Sequence, residues 1–235
     1  MFGDVLLNSV SVDRHRIEID RRGCCLLYKR FTDEKLEKEF IVDVAIELRL
    51  VPIYPVFYPR FITQYILCEF DKSIAVASGS SMVVHIEIPI DVAVYAYSKN
   101  SFTILDVLPL HLKPKLVLYG PINGGVLARY CKTKLVDPAT VPELGWALSK
   151  LVLRNNTNSV VTVRKVLLDS SPLRLYYAPG KWLVYTQEIT LNIVSSSSAI
   201  VSYGQPFIEG VQPIDDPPEL RPPRIHNRTD MFWGY

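Results

Sequence analysis

The chain has 235 residues, of which 49% are hydrophobic and 21% charged, and its formal net charge is +2. This composition excludes a globally disordered chain and provides enough apolar surface for a sizeable core. The length fits one large β domain or two domains of about 100–120 residues each.

The N-terminal region lacks the features of a secretory signal, because the first 20 residues carry early charges and no long apolar stretch. The longest uncharged span of interest, residues 189–208, contains four consecutive serines and a proline. A membrane-spanning helix needs about 20 mostly apolar residues. We therefore expect a cytoplasmic protein without a transmembrane segment.

Two long runs, residues 39–52 and 82–97, alternate apolar and polar side chains, which is typical of strands with one buried face. Pro89 interrupts the second run and predicts two strands that meet at a bend, or one edge strand with a bulge. Residues 32–40, with Asp33 as cap, fit a helix or a charged loop equally well, and residues 138–147 leave room for one helical turn. Turn signals separate further predicted strands at 15–20, 24–31, 62–70, 102–108, 115–119, 126–133, 148–154, 160–168, 173–177, 181–194 and 199–203.

Strands separated by frequent turns predict an all-β protein made of two antiparallel β-sandwich-like units with a proline-rich C-terminal arm. We place the N-terminal sandwich at 1–118, the C-terminal sandwich at 119–208 and the arm at 209–235. Six prolines lie between residues 206 and 223. Such a segment is extended and cannot join a central strand.

Residues 116–133, "LVLYGPINGGVLARYCKT", contain three glycines within six positions, Gly120, Gly124 and Gly125. A phosphate-binding loop of this spacing needs a lysine where Val126 stands, and a helix after it. The Asn123–Gly124 pair between two apolar runs instead predicts a β-hairpin. We expect no bound nucleotide and no other cofactor.

Four short motifs resemble a known family. "LYGPINGGVLARY", the "NN" turn before "VVTVRKVLLD", the opening "MFGD" and the closing "FWGY" resemble the archaeal domain-of-unknown-function family 432. The resemblance covers the whole chain. It implies a small cytoplasmic archaeal β protein and carries over no catalytic residue.

The chain offers no motif for a metal site or a catalytic site. Its four cysteines and four histidines lack the close spacing typical of zinc ligands, and no nucleophile motif precedes a helix. We therefore assign no catalytic, cofactor-binding or metal-binding residue. The residues alone leave open whether Cys68 and Cys131 form a disulfide. Such a bond would fit a hyperthermophilic source, because intracellular disulfides occur in hyperthermophiles.

Charge is distributed unevenly along the sequence. Residues 113–181 hold eleven Lys or Arg and three acids, a net charge of +8, which leaves −6 for the remainder. Residues 12–49 interleave nine acids with nine bases, which suits a solvated surface with ion pairs, a feature more common in thermophilic proteins. The asymmetry fits an anionic partner, head-to-tail self-association, or a solvated surface of mixed charge on which the basic bias is incidental. The candidate polyanion-binding residues are Arg129, Lys132, Lys134, Arg154, Arg164 and Lys165.

The leading functional hypothesis is a non-enzymatic interaction or structural protein that contacts a protein partner or forms a homo-oligomer. Phe232, Trp233 and Tyr235 are candidate interface anchors, because large aromatics dominate protein contacts, and we predict that Phe232 and Trp233 are buried. The alternative hypothesis is a nucleic-acid or other polyanion-binding module that uses residues 113–181. An enzyme with an unrecognised site is the third.

Overall fold

The computed structural model describes residues 1–57, 62–99, 101–111, 115–196 and 198–215, together with the backbone of residues 230–232. Every regular element in this part of the chain is a β-strand, which confirms the predicted all-β class. The strands are β1 (Val10–Val12), β2 (His15–Arg22), β3 (Cys25–Thr32), β4 (Lys35–Asp43), β5 (Glu47–Ile53), β6 (Tyr65–Val76), β7 (Ser81–Pro89), β8 (Asp91–Tyr97), β9 (Phe102–Leu108), β10 (Lys115–Tyr119), β11 (Val126–Thr133), β12 (Leu135–Val136), β13 (Trp146–Asn155), β14 (Val161–Asp169), β15 (Leu175–Tyr177), β16 (Val184–Ser195), β17 (Ser198–Pro206), β18 (Gln212–Pro213) and β19 (Asp230–Phe232).

The strands form four sheets. Sheet I is the meander β1–β2–β3–β4, and sheet II has the order β5–β8–β9; both are antiparallel. Sheet III has the order β10–β11–β6–β14. Sheet IV has the order β12–β7–β13–β16–β15–β18, with β17 paired to β16 and β19 to β17. Because β6 pairs parallel to β11 and β13 parallel to β16, sheets III and IV are mixed. The expectation of antiparallel strands therefore holds throughout only in sheets I and II.

Sheets III and IV draw strands from both sides of residue 118. Strands β6 and β7 precede this residue, whereas their partners β11, β14 and β13 follow it. Parallel neighbours cannot be joined by a tight hairpin, so they come from distant parts of a chain. The predicted division into units 1–118 and 119–208 stays a prediction about independent folding.

Residues 32–40 form neither a helix nor a charged loop. They include the start of β4, which pairs antiparallel with β3. The intervening turn places Asp33 and Glu34 at φ of 48° and 63°, the left-handed conformation favoured in two-residue hairpin turns. The helical turn considered for residues 138–147 is also wrong, since that segment holds turns and the start of β13.

The two long alternating runs have different outcomes. Residues 39–52 are divided between β4 and β5, where Asp43 accepts the backbone N–H of Ala45 at 2.8 Å and ends the ladder. Residues 82–97 divide after Pro89 into β7 and β8, which confirms the predicted bend. The bend sends β7 into sheet IV and β8 into sheet II.

One continuous hydrophobic core contains buried side chains from all four sheets, including Tyr28, Leu50, Ile88 and Leu168. Specific polar contacts join the sheets in pairs. The Tyr28 hydroxyl of sheet I donates to Asp106 of sheet II at 3.0 Å. The Thr133 hydroxyl of sheet III donates to the backbone carbonyl of Glu87 in sheet IV at 2.8 Å.

The predicted C-terminal arm is described in two short pieces. Gln212–Pro213 pairs as β18 with β15, and the backbone of Asp230–Phe232 pairs as β19 with β17. The prolines between these pieces lie outside the described residues.

Candidate interaction surfaces

An open groove of about 410 Å³ lies where the N-terminal segment meets sheet I and the start of β5. We call it the N-terminal groove. Arg21 and Glu47 are its charged residues. Its apolar wall consists of Val5, Leu6, Leu7, Ile19, Leu26, Val44, Ala45, Ile46 and Leu48.

Backbone hydrogen bonds hold the N-terminal segment against β5. The N–H of Leu6 donates to the carbonyl of Leu48 at 2.8 Å, and the N–H of Gly3 donates to that of Leu50 at 3.0 Å. Gly3 adopts φ of 80°, and a Cβ at this position would lie 2.8 Å from the ring of Tyr177. Both constraints require glycine. The opening residues of the chain therefore shape one wall of the N-terminal groove.

Three apolar side chains of the N-terminal groove face solvent. Leu7 is 73% exposed, Val5 40% and Val44 36%. Adjacent apolar side chains in water mark a contact surface more often than isolated ones do. Sequence reasoning missed this groove because it placed Val44 on the buried face of a single strand. Between β4 and β5, Asp43 is the main turn-forming residue, and one such residue is only a weak signal for a turn.

The six sequence-predicted polyanion-binding residues divide by exposure. Lys132, Lys134, Arg154 and Arg164 are exposed, and Lys165 is partly exposed. Arg129 is 3% exposed and donates from its guanidinium to the backbone carbonyl of Val56 at 3.2 Å. Burial also lowers the pKa of Arg129. We therefore leave Arg129 out of any surface that contacts a polyanion.

Sheet III brings two of the predicted cations to one face. Lys132 and Lys165 are both register partners of Glu69, from β11 and β14 on either side of β6. The Lys165 ammonium lies 4.0 Å from the Glu69 carboxylate, which also accepts the Tyr130 hydroxyl at 2.9 Å. Glu69 therefore offsets part of the positive charge there. Arg154 lies in β13 of sheet IV, away from this row.

The glycine-rich segment is a hairpin, as predicted. Strands β10 and β11 pair antiparallel up to Tyr119 and Val126. Gly120 and Gly124 adopt φ of 104° and 114°, and the N–H of Gly125 donates to the carbonyl of Pro121 at 2.7 Å.

A buried charged network joins sheets I and II. The Asp106 carboxylate is fully buried and accepts hydrogen bonds from Arg30 Nε at 2.7 Å and Lys38 Nζ at 2.5 Å, besides the one from Tyr28. Arg30 also donates to Glu37 at 2.7 Å. Because each buried charge here has a partner, we interpret the network as a structural link between sheets I and II. The sequence offered one signal for it, a single acid in the apolar run "ILDVLPL" of residues 104–110.

A second buried acid lies at the start of β8. Asp91 is 3% exposed and accepts the backbone N–H of Leu110 at 2.9 Å. Burial raises the pKa of Asp91 to about 6, although the Leu110 hydrogen bond and the charges of His111 and Arg129 lower it. A carboxyl with this pKa can exchange protons near neutral pH. Its enclosure by core residues is typical of a structural acid.

The candidate interface anchors fall largely outside the described part of the chain. Only the backbone of Phe232 is described, whereas Trp233 and Tyr235 are not, so the predicted side-chain burial stays a prediction. Within the described residues, no three His, Cys, Asp or Glu side chains are arranged to hold a metal ion. No helix among those residues has the length and apolarity needed to cross a bilayer.

Comparison with known proteins supports the resemblance stated from the motifs. No curated protein and no solved structure matches the chain. The family model described as "Protein of unknown function (DUF432)" matches residues 1–232, nearly the whole chain. The chain therefore belongs to the DUF432 family.

Proposed function

We propose that this chain is a non-enzymatic interaction protein that acts through protein contacts at the N-terminal groove. The observation that carries the proposal is the group of exposed apolar side chains in that groove, Leu7, Val5 and Val44. Covering them would remove apolar surface from water, which stabilises a complex by about 25 cal/mol per Å² before the losses on association.

The occupant that we propose is a second copy of the chain. Residues 113–181 carry a net charge of +8 and the remainder carries −6, although residues 12–49, which supply most of the groove, are balanced in charge. Opposite charges on different parts of one chain favour head-to-tail contacts between copies. Glu47 and Arg21 give the groove one side chain of each sign, and charged groups at the rim of an interface set its register.

Light scattering on the full chain at about 100 µM tests the proposal. We expect a mass of at least two chains. Leu7→Glu introduces a charge at a position that is 73% exposed, so the fold is retained while the contact is weakened. We expect self-association to weaken at least about tenfold, since a desolvated unpaired charge opposes binding strongly.

Ile41→Glu is the matched control. Ile41 is 78% exposed in β4, does not line the groove and lies outside residues 113–181, so the same chemical change there should leave the mass unaltered. A wild-type chain that is monomeric at this concentration contradicts the proposal. So does an equal loss of mass in both variants.

A second proposed contact is the C-terminal aromatic end, Phe232, Trp233 and Tyr235. Its support is the pairing of the Asp230–Phe232 backbone with β17, together with the free energy gained when large aromatics leave water. Deletion of residues 226–235 should lower the melting temperature. If the end docks on a neighbouring copy, the deletion should also lower the mass measured by light scattering. No change in either quantity would remove this contact.

The alternative function is binding of nucleic acid or another polyanion on sheet III. The observation that favours it is the alignment of Lys132 and Lys165 on one face. Each phosphate contact releases counterions, so affinity should fall steeply with salt. Fluorescence anisotropy with mixed single- and double-stranded nucleic acid tests it, with Lys132→Gln/Lys165→Gln as the variant. No binding at about 50 mM salt rules the alternative out.

We propose that the surfaces above lie on two sandwich-like units, one made of sheets I and II and the other of sheets III and IV. The Tyr28–Asp106 contact supports the first pairing and the Thr133–Glu87 contact supports the second. In this arrangement β6 and β7 belong with the C-terminal strands, although they precede residue 118.

A further inference from the structure

Two cysteines that are 63 residues apart lie opposite each other in sheet III. Cys68 of β6 and Cys131 of β11 are register partners in the parallel pair. The Cys131 thiol donates a hydrogen bond to the Cys68 sulfur, and the two Sγ atoms are 3.2 Å apart. Both thiols are free. An S–S bond is about 2.05 Å long, so a modest approach of the two sulfurs would bring them to bonding distance.

The two thiols differ in their access to solvent. Cys68 is fully buried, whereas Cys131 is partly exposed. Contact with the Cys131 thiol, and then burial, raises the pKa of Cys68 well above its usual value. Because the thiolate is the reactive form and needs access to its reagent, the partly exposed Cys131 is the thiol that meets an oxidant first. Cys68, which lies beside it, is then placed to react with the oxidised Cys131.

We propose that Cys68 and Cys131 form a reversible oxidation site, which peroxides convert into a disulfide that ties β6 to β11. The Cys131 thiolate attacks one peroxide oxygen, the O–O bond breaks, and the leaving hydroxide takes up a proton to become water. The Cys68 sulfur then attacks the sulfur of the resulting sulfenic acid. The S–S bond forms, the S–O bond breaks, and hydroxide leaves with the Cys68 proton as a second water. Each sulfur loses one electron, and peroxide gains two.

The bond would close a loop between chain positions 63 residues apart. Closing a loop of this length restricts the unfolded chain, which stabilises the native state. Strands β6 and β11 are the two central strands of sheet III, so the crosslink would fasten the pairing that joins the two halves of the sequence. We expect the melting temperature of the oxidised protein to rise by several degrees.

The experiment uses the full chain with Cys24→Ser and Cys25→Ser, because the remaining cysteines, one exposed and one partly exposed, would otherwise obscure the result. After treatment with hydrogen peroxide, thiol titration should fall from two groups to none, and the mass should decrease by two hydrogen atoms. Dithiothreitol should restore both thiols and the lower melting temperature. Should this background fail to fold, mapping of non-reduced peptides from the wild-type chain for a Cys68–Cys131 link gives the same readout.

Cys68→Ser and Cys131→Ser in the same background are the matched controls. Neither can form the bond, so peroxide should not raise the melting temperature of either variant. Two retained thiols, a crosslink between chains, or a gain of oxygen without a link would each overturn the proposal.

Discussion

Asp106 is the buried carboxylate on which sheets I and II meet, and its charge is balanced by Arg30 and Lys38. Asp106→Asn keeps the shape of the side chain but leaves Arg30 in the interior without that charge. Removing one partner of a buried pair reduces the free energy of unfolding by roughly 3–5 kcal/mol. We expect a loss of this size in urea denaturation.

The control for this variant is Glu39→Gln. Glu39 is paired with Lys29 at 3.9 Å, and its side chain is 48% exposed. Exposed pairs contribute about 0–1 kcal/mol. Equal losses for Asp106→Asn and Glu39→Gln would show that burial of the Asp106 network adds nothing to stability.

Asp91 gives the fold a pH dependence of defined sign. Burial raises its pKa in the native state to about 6, above the usual 3.8 of an aspartate. Between these values the native carboxyl holds a proton that the unfolded chain has released, so stability falls as the pH rises through this window. The loss at pH 7 is on the order of 3 kcal/mol.

Asp91→Asn should remove this loss, because an amide stays neutral and its oxygen can still accept the Leu110 N–H. We expect the variant to match the wild type near pH 4 and to exceed it in melting temperature near pH 7.5. Comparing the melting temperatures of the variant and the wild type at each pH cancels the effect of the other titrating groups, because both proteins share them. A difference between the two proteins that stays constant or shrinks with rising pH contradicts the prediction.

At the scale of a single element, the β10–β11 hairpin depends on Gly125. A Cβ there would lie 2.6 Å from the Pro121 carbonyl oxygen and 3.0 Å from that of Tyr119. Both are backbone atoms, so relieving the clash requires the turn to move. We expect Gly125→Ala to lower the free energy of unfolding by about 1–3 kcal/mol in urea titrations.

Gly204→Ala in β17 is the matched control. The nearest atom to its added Cβ is Glu188 Cβ at 3.6 Å, an ordinary contact, so we expect a change of less than about 0.5 kcal/mol for this surface position. If both variants unfold at the same urea concentration, the hairpin tolerates a side chain and the steric argument is wrong.

For the whole molecule, the distribution of strands predicts how a divided chain behaves. A cut between residues 111 and 112 falls before β10, between described strands, yet it separates β6 and β7 from their partners in sheets III and IV. Strands that lose their neighbours leave backbone hydrogen-bonding groups unpaired and apolar side chains exposed to water. The first fragment keeps all strands of sheets I and II, but these sheets share one hydrophobic core with sheets III and IV. We therefore expect neither fragment to fold cooperatively when expressed alone.

Co-expression of the two fragments should restore a complex with a cooperative thermal transition, measured by circular dichroism. The uncut chain is the reference. A sharp transition in fragment 1–111 alone would instead support independent folding of the N-terminal half, as the division at residue 118 predicts.

Local patterns in the sequence determined the all-β class, the hairpin at residues 120–125 and the bend after Pro89. Period-two alternation, an Asn–Gly pair and the missing N–H of proline act within a few residues, so the sequence shows them directly. The same rules failed at residues 39–52, where alternation continues through a turn.

Tertiary structure alone decided which strands are neighbours, and with them the position of every proposed surface. The parallel pairing of β6 with β11 brings Cys68 to Cys131, and the packing of β11 buries Arg129, which charge counting had placed on the surface. Exposed Leu7 and buried Asp106 likewise depend on elements that are remote in sequence. Whether a residue is buried, and which residues it contacts, depends on its neighbours in space. Its own identity does not specify neighbours that lie tens of positions away in the sequence.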